Sequence, residues 1–382
     1  MKIIELKDFD ALFSALKKSG YTIIAPVLSD DAIVYSEVSS SSELPAGWID
    51  EQEGGTYRLK RNDSHALFNY TVGPTSWKKY LFPPLLKLFS VRKTTAGFEV
   101  TNEKPQPDIR GGEESRTGEN KKFAFIGVRS CELNALGIQD KIFATTAYAD
   151  PYYKTIREDC LIIAVNCVRA GGTCFCSSMK TGPQCDSGYD IVITEVNGRS
   201  IHHFVVEAGT DKGKELLAQC ITRPAEEKEC ERAKQLIAEA AKQMGRALDT
   251  ANLKELLYRN FENSRWDEIS TKCLTCGNCT MVCPTCFCSI VEELTDLAGE
   301  NADRWRKWDT CFRIDFAYIH GGSIRSTPRS RYRQWMTHKF ASWIDQFGAF
   351  GCVGCGRCIT WCPVGIDITA EINLIRQSET TK

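Results

Sequence analysis

Cys273-Leu-Thr-Cys276-Gly-Asn-Cys279-Thr-Met-Val-Cys283-Pro284 recurs, with other residues between the cysteines, as Cys352-Val-Gly-Cys355-Gly-Arg-Cys358-Ile-Thr-Trp-Cys362-Pro363. In each copy two residues separate the first three cysteines, and the fourth follows after three more, directly before proline. Three thiolates on one tight, glycine-containing loop cap three corners of a [4Fe-4S] cubane, while the fourth points away and ligates the other cubane. The spacing therefore predicts crossed ligation: Cys273, Cys276, Cys279 and Cys362 on one cluster, and Cys352, Cys355, Cys358 and Cys283 on the other. Crossing makes the two clusters neighbours, close enough for electrons to tunnel between them. Paired Cys-x2-Cys elements also hold zinc, but zinc sites rarely carry the Cys-x3-Cys-Pro ending, so iron and sulfide are expected.

A chain of 382 residues is too long for one small cluster-binding unit and suggests two domains. The formal charge of −1, with no recognition motif, gives no field that would draw the chain to nucleic acid or a lipid surface. Nineteen cysteines would read as a disulfide framework in a secreted protein. However, Met1-Lys2-Ile3-Ile4-Glu5-Leu6-Lys7 has no apolar signal segment, and no apolar run approaches membrane-spanning length. A cytoplasmic location, no membrane insertion and metal ligation are the expectations.

The N-terminal part reads as mixed α/β. Phe9, Leu12, Phe13 and Leu16 recur at helical spacing between Leu6 and Lys18. Short β-type runs follow at Tyr21–Pro26, Ala32–Val38 and Tyr57–Lys60. The polar stretch Thr101–Lys122 reads as a mobile surface loop. Phe123–Val128 is a buried strand that turns through Arg129-Ser130-Cys131 into a helix bearing Leu133, Leu136, Ile138 and Ile142, and Leu161–Val165 is the next strand. Strand, helix, strand predicts a parallel βαβ unit, with Ile191–Val196 and His203–Val206 completing a mostly parallel sheet. A helix is expected over Glu226–Leu248 and another over Leu253–Phe261. The predicted architecture is an α/β (α+β) domain over residues 1–245 and a ferredoxin-like, helical dicluster domain over 246–382. The latter carries a long insertion at 289–351. Its tryptophans, Trp266, Trp305, Trp308, Trp335, Trp343 and Trp361, read as core packing.

A second cysteine constellation, Cys131, Cys167, Cys174 and Cys176, falls where strands of an open sheet end and ligand-bearing loops converge. Cys131 begins a helix, where free N–H groups and the dipole favour a thiolate. Four such thiols suit a third [4Fe-4S] cluster, with Cys160 and Cys185 near enough to substitute; chance burial of cysteine is the bland alternative. Cys286, Cys288 and Cys311 read first as lining of the cluster cavity, then as alternate ligands, or as ligands of a further cluster with one oxygen or nitrogen donor. Cys220 and Cys230 read as inert. The basic tract Arg325, Arg329, Arg331, Arg333 and Lys339, with His320 and His338, is by default a solvated face. Some of its charges should offset a buried anionic cluster or meet a partner protein.

Several motifs together resemble one family: Gly127-Val-Arg-Ser-Cys131-Glu-Leu, Ala164-Val-Asn-Cys167, Gly172-Thr-Cys-Phe-Cys176, Cys283-Pro-Thr-Cys-Phe-Cys288, Ser330-Arg-Tyr-Arg-Gln-Trp335 and Gly351 through Asp367. They are similar to the iron–sulfur β subunits of soluble NAD(P)-linked [NiFe] hydrogenases (sulfhydrogenases) and to the iron–sulfur electron-transfer component of anaerobic sulfite reductases. The loop Thr101–Lys122 departs from that pattern. The resemblance implies an electron-transfer role between a catalytic partner and a flavin, NAD(P)-binding subunit. The catalytic partner would be the small and large subunits of a [NiFe] hydrogenase, or a sulfite reductase catalytic subunit. The closing run Trp361-Cys-Pro-Val-Gly-Ile-Asp favours the hydrogenase. No Gly-x-Gly-x-x-Gly fingerprint follows a strand, so FAD is not expected in this chain and no catalytic residue is assigned. The rival readings are a flavin-binding reductase in its own right and a structural zinc module.

Overall fold

Alternation along two strands fixes the centre of the fold. In Lys122–Val128, Ala124 and Ile126 face one way and Phe125 and Val128 the other; in Leu161–Val165, Leu161, Ile163 and Val165 oppose Ile162 and Ala164. Such runs, apolar on both faces, belong to a sheet covered on both sides. The computed structural model, which describes residues 1–71, 73–101, 106–107, 121–198 and 201–380, shows that sheet. It has eight strands in the order Arg223–Pro224, Lys2–Glu5, His202–Ala208, Ile191–Asn197, Leu161–Val165, Lys122–Val128, Tyr21–Ser29 and Ala32–Glu37. Helices Asp10–Lys18 and Asp211–Ala218 cover one face, and Ser130–Phe143 and Pro151–Asp159 the other. Phe9, Leu12, Phe13 and Leu16 are all fully buried, as their spacing required.

The expected βαβ unit is present: Lys122–Val128 and Leu161–Val165 pair in parallel. The expectation of a mostly parallel sheet is corrected. Parallel pairing is confined to the centre, where Tyr21–Ser29, Lys122–Val128, Leu161–Val165 and Ile191–Asn197 run together. Every other pairing is antiparallel. The reason is local: Tyr21–Ser29 and Ile191–Asn197 each turn back through a short connection into Ala32–Glu37 and His202–Ala208. So short a connection cannot make a parallel crossover.

The helix expected over Glu226–Leu248 spans Glu227–Lys242. It stops because Gly245 lies against Gly172, where a Cβ would come 2.0 Å from the Gly172 carbonyl oxygen. The polar stretch Thr101–Lys122 lies mostly outside the described residues. An antiparallel sheet that the sequence reading did not contain joins Ser289–Thr295, Asn301–Trp308, Leu85–Thr94 and Gly97–Thr101, with Gln106–Pro107 pairing Leu85–Thr94. Its ladder connects the segment after the first cysteine loop to a strand from the N-terminal part. The C-terminal core gathers Leu253, Leu256, Leu257, Trp266, Ile269, Trp335, Phe340 and Ile372, together with Phe175 and Met179 from the N-terminal part. Trp266, Trp335 and Trp343 are buried packing residues.

Candidate metal centres

The two cysteine runs fold as copies of one another. A residue in the left-handed region opens each loop (Thr275, φ 52°; Gly354, φ 64°). A left-handed glycine (Gly277, φ 78°; Gly356, φ 75°) then precedes a short helix, Asn278–Met281 or Arg357–Thr360. This bend turns backbone N–H groups toward sulfur. Thr275 donates to Cys273 Sγ at 3.4 Å and Gly354 to Cys352 Sγ at 3.4 Å, while Ile366 donates to Cys362 Sγ at 3.3 Å. Such bonds orient ligands and tune a cluster's potential.

Cys273, Cys276 and Cys279 line one hollow with Cys362, walled by Phe312, Tyr332, Trp335, Val364, Ile366 and Ile368. Cys362 thus comes to the first loop from the second, and Cys358 reaches the same wall. Conversely, Cys283 lies among Cys352, Cys355 and Cys358, each of which feels its charge. Each loop is therefore completed by the other loop's fourth cysteine. Four thiols around an apolar hollow fit a cubane. Among the described residues no three His, Cys, Asp or Glu side chains converge at single-ion spacing. Burial pushes the Cys279 and Cys358 thiols well above their ordinary range, and Cys352 up to about 12. Such thiols stay protonated until a metal displaces the proton.

Cys283 differs. A hydrogen bond from Cys286, then the Lys339 ammonium and Thr285, hold its thiol well below the usual range. Lys339 is buried and donates to Cys283 Sγ at 3.3 Å and to Thr285 Oγ1 at 3.2 Å. Burial opposes its charge, but the thiolates of Cys283, Cys286 and Cys352 outweigh it and keep the ammonium protonated. The basic tract therefore divides. Lys339 faces Cys283, and buried Arg331 is close enough to act on Cys273. Arg329 and Arg333 instead pair with Glu262 on the surface.

The other constellation forms at the carboxyl ends of the central strands. Cys131 starts the helix after Lys122–Val128, and Cys167 follows Leu161–Val165. Cys174 and Cys176 lie on the loop that packs on the second cysteine run, where Phe175 N–H donates to the Gly354 carbonyl at 2.8 Å. Cys176 lies within electrostatic reach of Cys174, Cys167 and Cys355, and Cys131 within reach of Cys355 and Cys176. Burial raises the Cys174 thiol to about 12 and Cys131 well above its usual range. Cys185 is beside Cys167. Cys160 is at the opposite end of its strand, bonded to the Arg157 carbonyl, and is not brought to this site. Cys220 bonds the Leu216 carbonyl away from it.

Four polar side chains were not singled out in the sequence. Glu132, next to Cys131, accepts from Tyr35 (2.8 Å), Trp77 (3.0 Å) and Arg357 (2.6 Å). Arg357 lies inside the second run and acts on Cys355 and Cys131. Arg129 bonds the Phe68 and Tyr70 carbonyls at 2.7 and 3.0 Å and faces Cys167 at 4.0 Å. Lys78 is buried against the carbonyls of Cys283 and Cys286 at 3.1 and 3.2 Å. Arg129 and Arg357 adjoin cysteines, which was a usable signal; Lys78 and Glu132 had none.

Residues 272–366 match a family described as a 4Fe-4S dicluster domain. The chain is 29% identical over 374 residues to the sulfhydrogenase 2 β subunit of Pyrococcus furiosus, covering 97% of this chain and 96% of that protein. No solved structure matches. No helix among the described residues is long and apolar enough to cross a membrane. The paired loops are thus an iron–sulfur dicluster module, on a chain similar almost from end to end to a hydrogenase β subunit.

Proposed function

We propose that this chain is the electron-transfer subunit of a cytosolic, multisubunit oxidoreductase, placed between a [NiFe] hydrogenase and a flavin, NAD(P)-binding subunit. Cys273, Cys276, Cys279 and Cys362 would hold one [4Fe-4S] cluster, Cys352, Cys355, Cys358 and Cys283 a second, and Cys131, Cys167, Cys174 and Cys176 a third. Residues 1–245 and 246–382 would form its two domains, joined by the shared antiparallel sheet. The observation that carries the reading is the single hollow lined by three cysteines of the first run and one of the second. Bound cubanes would supply one-electron carriers; the chain supplies thiolates, N–H donors and compensating charge. Its loops exclude water, since Cys279 and Cys358 are enclosed by apolar neighbours. Cys276 is exposed, as are Leu274 and Val364 beside it, which supports this loop as the face a redox partner approaches.

The test is Cys276→Ala in the anaerobically purified complex. About four irons per chain should be lost, and NAD(P)-linked hydrogen turnover should collapse. Full iron with full turnover would overturn the reading.

A further inference from the structure

Three cysteines remain outside the proposed ligand sets, and the fold draws them together. Cys286 and Cys288 directly follow the first loop. The chain then leaves through Ser289–Thr295 and returns through Asn301–Trp308, in a register that places Ser289 opposite Trp308. One step further the Asp309 N–H donates to the Cys288 carbonyl at 2.9 Å. The hairpin therefore delivers Cys311 to Cys288, and the two thiols lie within hydrogen-bonding reach. Cys286 stands within reach of Cys288.

Two independent features show that this pocket is built for an anionic group. Asp309 is buried (5% exposed), and its Oδ2 has no hydrogen-bond partner. Lys78 and Lys339, 4% and 5% exposed, both face these thiols. Neither has a carboxylate within ion-pair distance among the described residues. Lys78 rests on carbonyls and on the Trp308 ring, 3.8 Å from its centroid. Buried cations without anions are costly, and packed thiolates without metal repel one another.

We propose that Cys286, Cys288 and Cys311, with Asp309 Oδ2 as the oxygen donor, hold a further [4Fe-4S] cluster beside the Cys283 set. The three thiols release their protons as they take iron, and the two ammonium groups offset the charge of both sites. The proposal goes beyond the two-loop reading and stands on different cysteines.

The test uses the full chain, isolated without oxygen, with iron, acid-labile sulfide and zinc counted per chain. Dithionite-reduced electron paramagnetic resonance spectra are recorded alongside. Cys288→Ala and Cys311→Ala should each lose about four irons while keeping the signal that Cys276→Ala removes. Asp309→Cys should keep its iron and alter the spectrum of one cluster. Unchanged iron in both alanine variants, or stoichiometric zinc in place of iron, overturns the proposal. Should the alanine variants prove insoluble, Asp309→Cys decides, because a spectrum identical to the parent's overturns it. Loss of Cys276-dependent turnover with these results intact would bear on the relay alone.

Discussion

Lys339→Met removes a buried positive charge 3.3 Å from Cys283 Sγ. Cys283 is the one proposed ligand that the second cluster takes from the first loop. The added electron of a reduced cubane is spread over its irons, so its mean distance from Nζ is about 6 Å, and an effective dielectric near 20 makes the interaction worth ~3 kcal/mol. For a one-electron couple that is ~120 mV. Removing the ammonium makes the extra electron costlier to hold, so the reduction potential should fall. Methionine keeps the length of the stem, and the apolar walls around Trp335 and Phe340 stay filled. The assay is a potentiometric titration of the purified chain followed by electron paramagnetic resonance, with iron counted in the same sample. Lys339→Arg keeps the charge and should stay close to the parent. A methionine variant with full iron and an unshifted potential in every cluster would refute the electrostatic role.

Arg357→Leu strands Glu132 in the core without its cation, which should cost ~3–5 kcal/mol. A lowered urea midpoint would report it, with part of the loss recovered by adding Glu132→Gln; an unchanged midpoint would deny the pair its role. Gly356→Ala forces a Cβ to 2.4 Å from the Thr173 carbonyl oxygen at φ 75°. It should push the second loop off its seat and lower iron content, whereas an iron-replete variant would show that the loop can shift. Glu229 is held down to about 2, against an ordinary 4.5, chiefly by its hydrogen bond from Arg223. The folded carboxylate is the more acidic, so its stabilisation is complete above about pH 4.5 and disappears as pH falls towards 2. Arg223 is 41% exposed, so solvent screening limits the effect to ~1 kcal/mol. Glu229→Gln should flatten the stability profile in that window alone.

How far the sequence could be read depended on how local the signal was. The left-handed glycines and cysteine spacing of each run are short-range, and the four thiols of the first hollow are those the spacing named. Phe9, Leu12, Phe13 and Leu16 likewise declared a buried helix face. The sheet's mixed direction was not visible, because the runs Tyr21–Pro26 and Ile191–Val196 look alike whether their neighbours run with them or against them. Strands Leu85–Thr94 and Asn301–Trp308 escaped because half-exposed, charge-rich sequences such as Arg304-Trp-Arg-Lys-Trp308 carry no clean two-residue period. Lys78 and Glu132 gave no warning, since their partners Cys283 and Arg357 are distant in sequence and only folding brings them together. Cys160 was misplaced as a substitute ligand because proximity in sequence cannot tell which end of a strand a residue occupies.

A ribosome delivers Cys273, Cys276 and Cys279 long before it delivers Cys362. Until then the hollow they share has a missing wall, and a metallocluster inserted early would meet solvent on its fourth corner. Assembly of this protein is thereby ordered in time. The carrier that donates iron and sulfide has to act on a finished polypeptide, and interrupted translation leaves thiols that bind nothing tightly.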